Sequence, residues 1–249
     1  MITSKQNQSV KRVSSLKQKK NREIYGEYVV EGIKMVSDAI TYGAEIVEIF
    51  VTEKHEAVFK NQSVLVTVVS DDVFKCMSDE VTPQGVLAVV KIPKNDAIGR
   101  LSRCLLLDRV QDPGNVGTIM RLAVACGVKD ILLIDSADPY SPKSVRSSMS
   151  GIYHVNIIKL SLDECLKLIK EQGIPLICAD MGENSLFDYS APTNFCLCVG
   201  NEGNGICDEI LSNANEILSI PMEKGIESLN VSVATGVMLY SLLYNNIRR

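Results

Sequence analysis

The sequence predicts an α/β protein: a C-terminal domain built on a mostly parallel sheet flanked by helices, preceded by a smaller α/β domain. Three observations predict it. Short apolar runs alternate with stretches of helical periodicity along most of the chain, the order that builds βαβ units. The stretch Lys91 to Arg100, with Pro93, Asn95, Asp96 and Gly99, interrupts that alternation and reads as a linker. Polar or glycine-rich loops follow the apolar runs ending near Leu107, Val199 and Ile220, and ligands on parallel sheets bind beyond strand C-termini.

The elements follow in order. A basic segment opens the chain. Tyr28 to Val30 is a short strand, and Ile33 to Tyr42 a helix closed by Gly43. Val47, Ile49 and Val51 alternate as a strand, Glu53 to Lys60 reads as helix, Val64 to Val69 as an apolar strand, Asp71 to Met77 as a short helix and Gly85 to Val90 as a strand. After the linker, Cys104 to Leu107 is a buried strand. Asn115 is placed to cap a helix running to Cys126, and Gly127 ends it. Strands are expected at Ile131–Ile134, Val155–Ile158, Leu176–Ala179, Phe195–Val199 and Ile217–Ile220, with helices at Ser141–Ser148 and Leu162–Glu171. The last helix, Val231 to Leu243, is apolar most of the way round, so it is expected to be buried on several sides. Its small residues Ser232, Thr235 and Gly236 share a face where another backbone could approach. The expected domains are 1–92 and 101–249, joined by a linker at 93–100.

Composition narrows the classes. No stretch of about 18 uncharged apolar residues occurs, so no membrane span is expected. The basic N-terminus lacks the apolar core of a secretory signal, which makes a cytoplasmic protein the default. The eight cysteines form no CxxC pair and mostly lie in apolar runs, the pattern of buried reduced thiols. With only His55 and His154 beside them, no metal site is expected. The net charge is -4, yet residues 1–22 carry Lys5, Lys11, Arg12, Lys17, Lys19, Lys20 and Arg22 and no acid. Such an arm suits nucleic-acid phosphates or a solvated helix about equally.

Three stretches belong together: DRVQDPGNVGTIMRLAVACGVKDILLID (Asp108 to Asp135), CVGNEGNGI (Cys198 to Ile206) and IPMEKGIESLNVSVATGVMLY (Ile220 to Tyr240). They resemble, in order, the three motifs of the SpoU/TrmH branch of the SPOUT superfamily, RNA 2′-O-ribose methyltransferases that use S-adenosyl-L-methionine (SAM). The opening, SxxNxxVKxxxxLxxKKxR followed by YVVEG, resembles the start of the substrate-binding domain that many of them carry, with a fold like a small ribosomal RNA-binding protein. The resemblance implies a trefoil knot in the C-terminal domain, a rare exception to unknotted connectivity, and a homodimer formed through that domain.

It also implies roles. Arg121 matches the arginine most often assigned to catalysis, with Asn115 beside it; from spacing alone Arg121 would pass as a surface residue. Glu202, Ser228 and Asn230 would orient the loops, the cofactor and the target ribose, although Ser228 and Asn230 could simply cap the last helix. Backbone at Gly200, Ile220, Met222 and Leu229 would wrap the cofactor. Residues Lys5, Lys11, Arg12, Lys19, Lys20 and Arg22 would contact RNA. One departure stands out: in SPKSVRSSMSGIYHV, Ser150 occupies the place where the family usually has glycine, and Gly151 follows, which leaves the roles of Lys143, Arg146 and Ser148 open. The expected activity is ribose methylation of ribosomal RNA. A transfer-RNA methyltransferase and a non-catalytic RNA-binding protein are the alternatives. A nicotinamide oxidoreductase is disfavoured because the G-x-G-x-x-G fingerprint is missing.

Overall fold

The computed structural model describes residues 1–244 except 61–62, 95–97, 224 and 226–227. Contacts divide the chain into two compact units: Met1–Lys94 with Tyr140–Tyr153, and Asn95–Pro139 with His154–Arg249.

The first unit opens with helices α1 (Gln8–Ser15) and α2 (Lys19–Tyr25), then β1 (Glu27–Glu31), α3 (Ile33–Thr41), β2 (Ile46–Thr52), α4 (Glu56–Phe59), β3 (Val66–Val69), α5 (Asp71–Met77) and β4 (Val86–Lys91). Its sheet runs β1-β4-β2-β3, with β4 antiparallel to both neighbours and β2 parallel to β3. The basic N-terminal segment is built into this unit. Asn7 caps α1 by accepting from the Ser9 amide at 2.9 Å, which satisfies a donor the helix end would leave bare. Val10, Val13 and Leu16 then enter a core with Phe50, Val73, Phe74 and Leu87, each contributing roughly 1.5–3 kcal/mol by leaving water.

The structure corrects one expected RNA contact. Arg22 is 3% exposed, and its guanidinium donates to the carbonyls of Leu16 (2.7 Å) and Lys17 (2.8 Å). It closes the turn after α1, and its charge is withdrawn from solvent. Arg12 is held by Glu27 at 2.6 Å, whereas Lys5, Lys11, Lys19 and Lys20 are exposed.

In the second unit β5 (Arg103–Asp108), α6 (Pro113–Ala125) and β6 (Asp130–Ile134) come first. Residues Tyr140–Tyr153, including α7 (Pro142–Ser148), then pack within the first unit. This differs from the sequence reading, which assigns them to 101–249. The reason lies in side chains that periodicity does not reveal. Arg146 pairs with Asp79 (3.1 Å) and Glu80 (3.0 Å), the Tyr153 hydroxyl donates to the Met35 carbonyl (3.1 Å), and the Tyr28 and Tyr140 rings lie 5.0 Å apart. The second unit resumes with β7 (Asn156–Lys159), α8 (Leu162–Gln172), β8 (Leu176–Ser185), β9 (Phe195–Val199), α9 (Asp208–Leu211), β10 (Glu216–Ser219) and α10 (Val231–Tyr244).

The six strands of this unit form one sheet in the order β10-β8-β9-β5-β6-β7, and every pairing is parallel. Strands this apolar are covered on both faces, and Cys104, Leu106, Leu132, Cys178, Cys196 and Cys198 lie in one fully buried cluster. Burial pushes the neighbouring Cys165 thiol up to about 12, so it stays protonated and inert. Helix α10 buries Thr235, Met238 and Leu239. A Cβ added at its Gly236 would meet the Leu122 side chain of α6 at ordinary contact distance, 3.5 Å, while Val233 and Tyr240 face outward. No helix among the described residues is long and apolar enough to cross a membrane.

Candidate functional site

Three loops at the C-terminal ends of β5, β9 and β10 meet in the second unit. A cavity of 610 Å³ opens among them, lined by residues 179–181 after the first part of β8, the 199–205 loop after β9, residues 218–222 after β10, and residues 228–231 leading into α10. Of the residues expected to bind cofactor or substrate, Gly200, Glu202, Ile220, Met222, Ser228, Leu229 and Asn230 all line it.

A chain of side-chain hydrogen bonds ties the loops together. Asn115 on α6 donates from Nδ2 to Glu202 Oε1 at 2.9 Å, and Asn230 donates from Nδ2 to Asn115 Oδ1 at 3.0 Å. The backbone amides of Gln111 (3.1 Å) and Asp112 (3.2 Å) also donate to the Glu202 carboxylate. Partial burial pushes the Glu202 carboxyl up, but the Asn115 side chain and these amides outweigh it and hold the group below the usual carboxylate range. Glu202 is thus a charged anchor for the loop before α6.

Asn230 serves two ends at once. Its Oδ1 caps α10, accepting from the Ser232 amide (3.0 Å), the Ser232 hydroxyl (2.6 Å) and the Val233 amide (3.3 Å), while its Nδ2 reaches Asn115. Capping and site assembly are therefore carried by one side chain. Asn115 does not cap α6 as the sequence suggests. The cap is Asp112, accepting from the Gly114 amide (2.6 Å) and the Asn115 amide (3.1 Å), with Pro113 at the first helical position, where its missing N–H costs nothing. Starting the helix there frees the Asn115 side chain for Glu202.

The 200–205 loop is closed by paired backbone bonds between Asn201 and Gly205, both 3.0 Å. Asn201 Oδ1 accepts from Gly203 (2.9 Å) and Asn204 (3.0 Å), and its Nδ2 donates to the Arg109 carbonyl (2.8 Å). A Cβ at position 200 would lie 2.5 Å from the Gly205 carbonyl oxygen and the Ile206 nitrogen, so the turn has no room for a side chain. Beneath it, Asp108 is 1% exposed and accepts from the Cys207 amide (2.8 Å) and both sides of the Arg109 guanidinium (2.9 and 3.0 Å).

Arg121 lies outside the cavity lining. It is exposed on α6, turned from the buried stripe of Val116, Ile119, Met120 and Ala123, and makes no hydrogen bond or ion pair with the described residues. Asp180 and Met238 are among the lining residues that the sequence reading did not assign to the site. The usable signal for Asp180 was a carboxylate directly after the apolar run Leu176–Ala179; it stands within β8, at the irregularity where the pairing with β10 shifts register. Met238 was read only as helix core, because it is buried and faces the cavity at once.

Known proteins share this arrangement. The family model described as the SpoU rRNA Methylase family matches residues 102–240, and that of an MRM3-like substrate binding domain matches residues 7–88. The 23S rRNA (guanosine(2553)-2'-O)-methyltransferase RlmP of Bacillus subtilis is 30% identical over 97% of this chain and 98% of its own. The crystal structure of an AdoMet-bound rRNA methyltransferase from Sinorhizobium meliloti superposes with a TM-score of 0.88 at 27% identity, covering 97% of this chain and 96% of that one. A structure described by the 2-OH methylation of C/U34 on tRNA matches with a TM-score of 0.53 at 27% identity, covering 61% of this chain and 100% of its own.

Proposed function

The chain belongs to the SpoU rRNA methylase family, and from that premise we propose that it transfers a methyl group from SAM to a ribose 2′-hydroxyl of ribosomal RNA. The observation that carries the reading is the Asn230–Asn115–Glu202 chain, which joins all three motif loops at the rim of one cavity. Ribosomal rather than transfer RNA is favoured because the rRNA enzymes match along 97% of the chain and the tRNA structure along 61%.

The residues present fit the cofactor. The volume lies within the roughly 300–1,000 Å³ usual for small-ligand sites. The lining combines exposed loop backbone with apolar Leu218, Ile220, Val231 and Met238 and the carboxylates Asp180 and Glu202, a set suited to an adenosine and a positively charged tail. Backbone at Gly200, Ile220, Met222 and Leu229 would hold it. SAM, when bound, supplies an electrophilic methyl on a sulfonium. The protein's task is then to align the ribose hydroxyl with that methyl, an effect that reaches about 7–11 kcal/mol in well-oriented systems. Arg121, exposed and unpaired among the described residues, holds an RNA phosphate that takes up the hydroxyl proton, and stabilises the developing alkoxide. Its guanidinium donates hydrogen bonds and accepts none, which suits it to holding an anion rather than to removing a proton. Ser228 and Asn230 position the ribose from the opposite loop, and Asn115 and Glu202 keep the loops in register.

We assign residues 1–92 to substrate binding, with Lys5, Lys11, Lys19 and Lys20 on RNA and Arg12 shared between RNA and Glu27, and residues 101–139 with 154–249 to the catalytic domain; part of the expected linker 93–100 lies outside the described residues. The family reading extends to a trefoil knot in the C-terminal domain, a homodimer formed through that domain, and work in the cytoplasm where its RNA is found. A monomer in light scattering at micromolar concentration would contradict the dimer. The test of function is transfer of labelled methyl from SAM to total RNA from a strain lacking the protein, followed by mapping. A single 2′-O-methylated rRNA nucleotide is expected. A labelled tRNA moves the assignment to tRNA, and no label on any RNA favours a non-catalytic RNA-binding protein.

A further inference from the structure

Glu202 and Asp180 both line the cavity, but they are not equivalent. The Glu202 oxygens are taken up by Asn115, Gln111 and Asp112. Asp180 accepts one bond, from the Met181 amide to Oδ1 at 2.6 Å. That bond orients the carboxylate, and Oδ2 takes no hydrogen bond from the described residues. Oδ2 is turned toward the second glycine loop, 3.7 Å from where a Cβ of Gly205 would stand. Among the described residues that line the cavity there is no Lys, Arg or His, so no lining cation offsets the two carboxylates.

A negative lining of this kind distinguishes ligands by charge. SAM carries a sulfonium; the product of methyl transfer, S-adenosylhomocysteine, has a neutral thioether in its place and is otherwise the same molecule. We propose that Asp180 is a specificity-determining residue of the cofactor cavity, its carboxylate favouring the sulfonium cofactor over the neutral product and so promoting exchange after each turnover. The inference rests on the SAM reading above. The carboxylate with a free oxygen is the one that acts, because an interaction with a full charge across a partly enclosed site is stronger than across open water.

The test is calorimetric titration of the full-length protein with SAM and with S-adenosylhomocysteine, for wild type and Asp180→Asn. The variant keeps the shape and removes the charge. SAM affinity is expected to fall about tenfold while product affinity changes less than about threefold, a shift on the scale of one charge-assisted contact. Asp180→Glu should retain the wild-type ratio, and Asp180→Ser carries the same readout if the asparagine variant fails to fold. Equal losses for the two ligands would overturn the proposal, because Asp180 would then hold a group they share, such as the ribose or the ammonium. An unchanged ratio with unchanged affinities would overturn it as well. Wild-type protein that binds neither ligand would instead overturn the SAM reading itself.

Discussion

Two tight turns of this molecule solve the same backbone problem in opposite ways. At Gly200 glycine is required because there is no space: a Cβ would meet the Gly205 and Ile206 backbone, and no side-chain chemistry can offset that. At Ser150 the difficulty is conformational. Its φ is 73°, next to Met149 at 46°, a region costing roughly 1–2 kcal/mol for residues with a Cβ. Here a side chain can offset the strain, and the Ser150 hydroxyl donates to Asp38 Oδ2 at 2.7 Å. This explains how serine stands where the motif resemblance leads one to expect glycine. Gly151, one place later, is not at positive φ and so does not take over the role. A glycine demanded by sterics is absolute, whereas one demanded by φ is negotiable.

The comparison can be broken by substitution. Gly200→Ala should have the largest effect, destabilising by about 2–3 kcal/mol and weakening SAM binding more than tenfold, about 1.4 kcal/mol, read by thermal unfolding and titration. Wild-type binding would mean that the loop yields at no cost. Ser150→Ala keeps the strain and deletes the bond, so chemical denaturation should show a loss of about 1–2 kcal/mol. Ser150→Gly deletes both, and the two terms should cancel to within about 0.5 kcal/mol. If glycine costs as much as alanine, the strain at position 150 is not what the hydroxyl offsets.

A smaller effect probes what anchors the Gly200 loop. The folded-state pKa of Glu202 is lowered by its donors, so its stabilising contribution is present above the ordinary glutamate range and is lost as pH falls through the folded value. Acid titration of SAM affinity should therefore fall less steeply in Glu202→Gln than in wild type, from a weaker starting value. Parallel curves would show that the charge is not what holds the loop.

What was legible in the sequence follows the same physics. Six parallel strands stand where apolar runs stand, because a run such as Phe195–Val199 has few other places to go. The convergence of Glu202, Ser228 and Asn230 was legible only through motif resemblance, since nothing local brings loops nearly thirty residues apart together. Side-chain choices were the hidden part. Asp112 outcompeted Asn115 for the α6 cap because Pro113 suits the first helical position. Arg22 looked like its basic neighbours until two buried carbonyls claimed it. Residues 140–153 were read with the second domain because Arg146 finds Asp79 and Glu80 through tertiary contacts that no window of sequence contains.

The central claim is a division of labour: the loop cavity holds the cofactor, and Arg121, outside the lining, acts on the RNA. The most direct test measures SAM affinity and single-turnover methyl transfer in the same preparations of wild type and Arg121→Ala. The account predicts affinity unchanged within about twofold and transfer reduced more than about a hundredfold. Normal transfer by the variant, or loss of SAM binding in step with transfer, would contradict it.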